Sequence, residues 1–372
     1  MRRLSVTICV LGLLALLPAV ARAHGSPVQV VASGLDSPRH LAFGARGDLF
    51  VAEAGRGGSD LCFFGGEGPA CMGATGAVTE VDRRGHQFRI IDHLPSMAND
   101  PGNANGIGPH GIAVLGRDEV FITNGGPTEP KVSPTGPDIS REELAESTPA
   151  ADLFGRVLWI THHRAVKVGD IWGFERDHNP DAAVANPAID SNPVDLLFDG
   201  FKIVVADAGG NALDVVRPFG RVSNLAVFPG GQGHTPEYQA VPTSVVKGPD
   251  GFYYMSQLTG FPFIPGAANI FRVNPRTGAY TVFKGGFTNL MDLAFGRDGT
   301  LYALSIAKNG LLNGTEGAIY AISRRGQVRE LALPAGTLNE PGGIAVGPDG
   351  LYVSNNGGSP GGGQVLKIRG RF

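Results

Sequence analysis

The segment Glu340–Gly358, EPGGIAVGPDGLYVSNNGG, decides the fold. A proline precedes a short apolar run, a Gly-Pro-Asp-Gly turn follows, and a second apolar run ends in polar residues. Asp349-Gly350 supplies residues that tolerate positive φ in a tight turn. Leu351–Val353 has the β-branched and aromatic content of a strand. The segment is therefore predicted to form a β-hairpin.

Five other segments share this pattern, although the last of them has leucine in place of the proline: SPRHLAFGARGDLFVAEAG (37–55), GPHGIAVLGRDEVFITNGG (108–126), NPVDLLFDGFKIVVADAGG (192–210), VPTSVVKGPDGFYYMSQLTG (241–260) and NLMDLAFGRDGTLYALSIA (289–307). Two further strand-like runs follow most hairpins, as at 269–273 and 279–283. Four strands at a period of about 50 residues are the signature of a propeller blade. With 56 glycines and 27 prolines the chain also disfavours long helices. The prediction is an all-β, six-bladed β-propeller.

The sixth unit lacks one strand, and the run Val28–Val31 near the start of the chain has no hairpin partner. We expect this N-terminal strand to complete the last blade and to remove an exposed sheet edge. The domain prediction is a leader at 1–23 and one propeller at 24–372. Insertions are expected at about 55–75 and 125–154, the second with a capping box at Ser140–Glu143.

Residues 1–23 have the form of a secretory signal peptide. Arg2 and Arg3 precede an apolar run, and Ala21-Arg22-Ala23 ends it. Cleavage after Ala23 predicts a secreted, periplasmic or extracellular protein with no membrane span. A membrane anchor is the alternative, although the apolar run is short for a bilayer.

The net charge and the cysteines limit which partners are possible. Removing the leader leaves 28 basic and 34 acidic residues, a net charge near −6, which argues against nucleic acid. Cys62 and Cys71 form an even pair in an oxidising compartment, so a disulfide is predicted. Two free thiols in a metal or redox site are the alternative. A monomer that binds a small molecule or an envelope or extracellular protein is expected.

A candidate site follows from blade geometry, because the start of strand one and the end of strand two lie at the same face. Both positions are polar in most units, and alternation places them on one side of each strand. The strand-one starts are Arg39, His40, His110, Asp195, Ser244 and Asp292, and the strand-two ends are Glu53, Asn124, Asp207, Gln257, Ser305 and Asn355. Both insertions should lie beside this ring, which predicts a pocket at the channel mouth.

The ring has two chemical interpretations. Its carboxylates and amides are hard oxygen ligands suited to Ca²⁺ or Mg²⁺, while His40 and His110 are candidate acid–base groups or ligands of a transition metal. The remaining polar residues, Arg39, Asp207, Gln257, Ser244 and Asn355, are candidate ligand contacts. The alternative is structural: Asp and Asn near strand ends commonly bond backbone N–H groups or hold water.

The chain resembles the NHL and gluconolactonase-like six-bladed propellers, and more closely the ScyD/ScyE-type family of exported bacterial proteins. The resemblance rests on LDSPRHLAFGARGDLFVAEAGRGG (35–58), TGAVTEVD (75–82), NGIGPHGIAV (105–114), HNPD (178–181) and SNPVDLLFDGFKIVVADAGGNAL (191–213). That family takes its name from genes of scytonemin biosynthesis, so the resemblance implies export and a link to extracellular secondary metabolism. The gluconolactonase-like relatives hold a divalent cation through Glu, Asn and Asp. By position in the blade, Glu53, Asn124, Asp195 and Asp292 are the implied equivalents.

Two functions from different classes are consistent with these residues. The first is binding of a small molecule or protein partner at the insertion-rich mouth, without turnover. The second is a hydrolase, lactonase or lyase in which a channel cation polarises a carbonyl or activates water, with His40 or His110 moving the proton.

Overall fold

The described residues of the computed structural model are 27–65, 68–99, 106–116, 118–126, 130–183, 188–231 and 237–372. They form antiparallel sheets arranged as six blades, which confirms the predicted all-β, six-bladed propeller. The signal peptide predicted at 1–23 lies outside these residues. No helix within them is both long enough and apolar enough to cross a bilayer.

The blades follow one another along the chain. Blade 1 contains β2 (Pro38–Phe43), β3 (Leu49–Glu53), β4 (Leu61–Gly65), β5 (Gly68–Val81) and β6 (Gln87–Ala98); blade 2 contains β7 (Pro109–Leu115), β8 (Glu119–Asn124), β9 (Arg156–Thr161) and β10 (Arg164–Asp170). Blade 3 contains β11 (Pro193–Asp199), β12 (Lys202–Asp207), β13 (Ala212–Arg217) and β14 (Arg221–Val227); blade 4 contains β15 (Pro242–Lys247), β16 (Tyr253–Gln257), β17 (Ala268–Val273) and β18 (Tyr280–Phe287). Blade 5 contains β19 (Leu290–Phe295), β20 (Leu301–Ser305), β21 (Ala318–Ile322) and β22 (Val328–Glu330); blade 6 contains β23 (Gly343–Val346), β24 (Gly350–Asn355), β25 (Gly363–Arg369) and β1 (Val28–Leu35).

Two α-helices and three 3-10 turns lie between these strands. The helices are α1 (Arg141–Ser147) and α2 (Ile171–His178), and the 3-10 turns are Pro149–Leu153, Pro218–Gly220 and Leu311–Asn313. The first strands of the blades contact one another in the order β2, β7, β11, β15, β19, β23 and back to β2. They therefore line a closed central channel.

The ring is closed by the N-terminal strand, as predicted. β1 pairs antiparallel with β25, with Val28 opposite Ile368 and Leu35 opposite Gly363. Leu35 and Ala32 are buried against the core of the first and last blades. The last blade is therefore built from both ends of the chain, and the outer edge of β25 is covered.

The turns between first and second strands follow the sequence pattern with one exception. Gly251 and Gly299 both adopt φ 82°, which a side chain would strain. Gly350 does not adopt a positive φ, so the expectation that it is a turn residue with positive φ is wrong. It is the first residue of β24, and a Cβ on it would lie 2.4 Å from the carbonyl oxygen of Ile368. Glycine is required at this position by close packing of the next strand.

The hydrophobic core is divided into layers between neighbouring blades. Phe50 and Val78 of blade 1 pack with Ile122 and Leu158 of blade 2. Equivalent layers join the other neighbouring blades, including one around Tyr253 between blades 3 and 4. Each blade thus buries both faces, and the ring behaves as one cooperative unit.

Two excursions pack against each other beside blades 1 and 2. The hairpin β4–β5 contributes Phe63 and Met72 to an apolar cluster with Leu144 of α1 and Phe154. The capping box predicted at 140–143 is present: the Ser140 side chain accepts from the Glu143 N–H, and the Glu143 carboxylate accepts from the Ser140 N–H. This cluster fixes both excursions to the same side of the propeller.

The predicted disulfide between Cys62 and Cys71 is present, and it links β4 to β5. Replacing both cysteines with serine is expected to cost about 2–3 kcal/mol, because a sequence separation of 9 closes a short loop. For a chain of this size that lowers Tm by about 3–4 °C. Calorimetry should show the same decrease in the reduced native protein. The prediction would be contradicted if the oxidised native protein had the same Tm as the double variant.

Candidate functional site

Four polar side chains meet at the axis of the ring, each from the first strand of a different blade. These side chains are His40 on β2, Asp195 on β11, Ser244 on β15 and Asp292 on β19, and all are buried. Gly111 and Gly343 hold the same position in the other two blades. A Cβ on Gly111 would lie 2.5 Å from Cα of Asp195, and one on Gly343 would lie 2.7 Å from Cα of His40. Glycine at these two positions lets the channel close around the polar group.

The two aspartates join neighbouring blades across the channel. Asp195 Oδ2 accepts a 2.8 Å hydrogen bond from the backbone N–H of Val245 in the next blade. Asp292 Oδ2 accepts a 2.7 Å bond from the backbone N–H of Ile344 in the last blade. First strands have an open edge toward the axis, so their buried N–H groups need such acceptors. Both carboxylates therefore contribute to the cohesion of the ring.

The remaining carboxylate oxygens are also engaged. Asp195 Oδ1 accepts from the N–H of Leu196 at 2.8 Å. Asp292 Oδ1 accepts from the N–H of Leu293 at 2.6 Å and from the Ser244 hydroxyl at 2.8 Å. A carboxylate oxygen has two lone pairs. One lone pair therefore remains on each Asp195 oxygen and on Asp292 Oδ2.

His40 lies beside these carboxylates. Its Nε2 lies 3.6 Å from Asp292 Oδ1 and has no hydrogen-bond partner. Burial opposes a charge on this ring, but the carboxylates of Asp292 and Asp195 outweigh burial, so the pKa of His40 is raised. One ligand atom from each of His40, Asp195 and Asp292 lies within 4.8 Å of the others. These three residues are called the channel trio below.

His110 supports the trio from the neighbouring blade. Its Nδ1 lies 2.8 Å from the carbonyl oxygen of Val194 and 3.2 Å from Nδ1 of His40. Since a carbonyl only accepts, the proton of His110 belongs on Nδ1. Burial, then the charges of His40 and Arg39, hold the pKa of His110 well below its usual value. His110 is therefore a neutral imidazole that fixes the orientation of His40.

The second-strand ends do not join this group, because their side chains bind loops or strands of their own blade. Asp207 accepts from the N–H of Asn192 at 2.6 Å, and Asn355 accepts from the N–H of Asn339 at 2.8 Å. Asn124 Nδ2 donates to the Gly125 carbonyl oxygen, Gln257 Oε1 accepts from the Asn269 N–H, and the Ser305 hydroxyl donates to the Thr288 carbonyl oxygen. These side chains therefore fit the structural interpretation, in which polar residues near strand ends bond backbone groups.

Glu53 has its own set of partners away from the channel trio. It accepts from the N–H of Asp36 at 2.7 Å, from the hydroxyl of Thr79 at 2.5 Å, and from Arg89 at 2.9 Å. These residues line an open groove of about 440 Å³ that Arg56 also borders. The groove is polar and carries two guanidinium groups beside two carboxylates.

Arg39 precedes His40 on β2, and its charge helps to lower the pKa of His110. Its side chain is buried, and Nη2 donates a 2.7 Å hydrogen bond to the carbonyl oxygen of Gly106. A ligand that reaches His40 past Arg39 must displace that contact. Of the residues predicted from sequence, the structure thus brings together His40, His110, Asp195, Ser244 and Asp292, with Arg39 beside them.

The donor set of the channel trio can hold a divalent cation. The 3.6 Å between His40 Nε2 and Asp292 Oδ1 suits two ligands at about 2.0–2.2 Å from one ion. An imidazole with two carboxylates favours a transition metal such as Zn²⁺ or Mn²⁺, whereas Ca²⁺ prefers oxygen alone. The unpartnered, buried Nε2 supports the fit. A proton and a cation compete for this nitrogen.

Comparison with known proteins defines the class. No family model and no curated protein matches the chain. Solved structures that are similar include a gluconolactonase from Xanthomonas campestris, with 13% identity over 92% of this chain and 89% of that chain and a TM-score of 0.52. A protein of unknown function from Bacteroides thetaiotaomicron has 10% identity over 91% and 75%, with a TM-score of 0.55. Virginiamycin B lyase from Staphylococcus aureus has 12% identity over 92% and 99%, with a TM-score of 0.49.

These similarities show the fold: the chain is a propeller like that of the gluconolactonase. At such identities the function of the relatives does not transfer to this chain. Any reaction must be argued from the residues at the axis.

Sequence analysis assigned no role to Glu175, Asp181 and Asp214, which are buried near Asp207 in blade 3. Their positions fall in or next to two of the stretches that carry the family resemblance, HNPD (178–181) and the run ending at 213. The concentration of acidic residues in these stretches was the available signal. Their convergence depends on α2, which sequence alone did not predict.

Proposed function

We propose that this chain holds a divalent transition-metal cation in its central channel and acts as a cation-assisted hydrolase or lyase on a small molecule. The observation that carries the proposal is the channel trio, with His40 Nε2 unpartnered between carboxylates from two other blades. Three ligands from the protein leave a coordination position open, as in catalytic rather than structural zinc sites.

The residues of the chain have distinct roles in this proposal. Asp195 and Asp292 hold their orientation through backbone N–H groups of neighbouring blades. His110 positions His40 and stays neutral at pH 7, because its pKa is held well below the usual value. The cation supplies polarisation of a carbonyl group or activation of water. Arg39 lies at the entrance to the central channel and presents a positive charge to an anionic substrate.

Binding without turnover is the second candidate, and the burial of the channel trio favours it. His40 is 2% exposed, and Asp195 and Asp292 are 6% and 5% exposed. A cation enclosed to this degree would serve as a fixed charge beneath a ligand at the mouth. The occupant would be a small molecule or an envelope protein, bound beside Arg39 and the excursions of blades 1 and 2.

We also propose that the chain belongs to the exported ScyD/ScyE type and works outside the cytoplasm in secondary metabolism. The supports are the leader-like residues 1–23, the disulfide, and the motifs quoted for the resemblance. The mature protein would be one propeller from residue 24, monomeric, with its two insertions at about 55–75 and 125–154.

Metal content tests the first proposal. Native protein is expected to hold about one equivalent of a transition metal, and His40→Ala should reduce its affinity by tenfold or more, because the only nitrogen ligand is lost. Elemental analysis after dialysis against Zn²⁺ or Mn²⁺ measures both. His86→Ala is the matched control, since His86 is exposed and only pairs with Asp82.

Activity separates the two candidates. Hydrolysis of aldonolactones or aryl esters that is lost in EDTA and in His40→Ala, but kept in His86→Ala, would support turnover. Bound metal without such activity would support binding alone. A native protein that holds no transition metal and melts at the same temperature with and without EDTA would refute the channel cation.

A further inference from the structure

A second buried acidic group lies in blade 3, away from the channel trio. Glu175 is on α2, Asp181 follows that helix, Asp207 ends β12 and Asp214 is on β13. All four are at most 1% exposed. Isolated carboxylates are costly to bury, so a group of four requires a reason.

Two of these side chains have carboxylate oxygens with no hydrogen-bond partner. They are Oε1 of Glu175 and Oδ1 of Asp181, both inaccessible to solvent. Glu175 faces Asp207 across Gly210, because a Cβ built on Gly210 would lie 3.2 Å from Glu175 Oε2 and 3.1 Å from Asp207 Oδ2. Glycine keeps this space open. The free oxygens and the open space are features of a site rather than of a packed core.

No lysine, arginine or histidine forms an ion pair with any of the four carboxyls within the described ranges. The basic residue on the adjacent β9, Arg156, pairs with Asp152 and Asp170 instead. The group therefore has no cationic side chain among the described residues to offset its charge when the carboxyls are ionised.

We propose that Glu175, Asp181 and Asp207 bind a calcium ion that ties α2 to blade 3. The donors are all oxygens, which is the ligand type that Ca²⁺ prefers. The carbonyl oxygen of Gly209 lies within the same group, since it and Asp181 Oδ2 both accept from Asn211 Nδ2. Asp214 adds negative charge behind the ligands. This site has no nitrogen donor, so it differs in metal preference from the channel trio.

The ligand atoms of this acidic group lie farther apart than those of the channel trio. The channel trio is the one group of three His, Cys, Asp or Glu whose ligand atoms fall within 4.8 Å of one another among the described residues. The carboxylates of blade 3 must therefore close by side-chain rotation, and the free oxygens of Glu175 and Asp181 are the groups able to move. Closure around Ca²⁺ removes the repulsion that keeps them apart.

Calcium-dependent melting tests the site. Full-length mature protein freed of metal with EDTA is expected to gain about 3–5 °C in Tm with 1 mM CaCl₂, since an ion that binds only the folded state stabilises it. Titration calorimetry should give one site. MgCl₂ at the same concentration should give a smaller shift, because Mg²⁺ demands a tighter octahedral cage.

Variants assign the effect to residues. Glu175→Gln and Asp181→Asn should each weaken Ca²⁺ binding by tenfold or more, while Glu142→Gln, an exposed change on α1, should bind as the native protein does. His40→Ala should keep the full calcium response, which separates this site from the channel. Native-like calcium binding in both Glu175→Gln and Asp181→Asn, no calcium shift in the native protein, or loss of the shift in His40→Ala would each overturn the proposal.

Discussion

Asp292→Ala is expected to lower the free energy of unfolding by about 3–5 kcal/mol, because it removes one partner of a buried charged group. The variant takes away the carboxylate nearest to His40 and the acceptor of the Ile344 and Leu293 N–H groups. The Ser244 hydroxyl also loses its acceptor. Three buried polar groups would then lose an acceptor at the axis of the ring, and His40 would lose its nearest carboxylate.

Denaturant unfolding in EDTA measures this effect without a contribution from bound metal. Asp92→Ala is the control, since Asp92 is exposed and contacts only His93, and it should change stability by less than about 0.5 kcal/mol. Asp292→Asn should fall between them, because the amide oxygen still accepts from the backbone. Equal midpoints for Asp292→Ala and Asp92→Ala would show that the carboxylate does not hold the ring together.

A mature chain that begins at Asp36 and so lacks β1 is expected to lose about 5 kcal/mol or more, much of the stability of a typical domain. The deletion removes the buried side chains of Leu35 and Ala32 and uncovers the whole edge of β25. Exposed strand edges promote association between chains. The truncated protein should therefore melt far below the native protein and form oligomers or precipitate.

Light scattering and calorimetry check the truncation. Val30→Lys in the full chain is the control, because the Val30 side chain is 49% exposed on the same strand, and it should leave Tm nearly unchanged. A synthetic peptide of residues 27–36 added to the truncated protein should raise its Tm. A truncated chain that melts with the native protein as a monomer would contradict the role assigned to β1.

The fold could be predicted from sequence because each hairpin carries its own signal. The Pro-x-x start, the apolar runs and the glycine turn recur six times, and the unpaired Val28–Val31 strand had one vacant place to occupy. The hairpin predicted at 340–358 is present, and only the positive φ expected at Gly350 is absent, because glycine there serves packing against Ile368.

The candidate site could be predicted only in part, because the first strands are bulged where they meet the channel. Pro193 pairs with Asp207, but Asp195 pairs with Ala206, so one residue is extra on the inner strand. The same shift separates Leu290 from Asp292. Alternation therefore does not continue through this point. The first-strand side chains turn to the axis, while the second-strand ends remain with their own loops.

The partners of Glu53 show a second reason why the site could not be predicted fully from the sequence. Arg89 lies on β6, the outer strand of blade 1, and reaches back over β5 to Glu53. Nothing in the hairpin repeat encodes this contact. Long side chains that cross a sheet depend on register, which sequence periodicity does not determine.

Because β1 and β25 share one sheet, the order of synthesis matters. The first strand to leave the ribosome pairs with the last, so it waits unpaired while more than three hundred residues are made. Contacts of such separation form slowly. The intermediate blades can assemble early, but the final docking step has to wait for the C-terminal residues. A nascent chain stalled before Gly363 would remain an open arc, with β1 still without its partner strand.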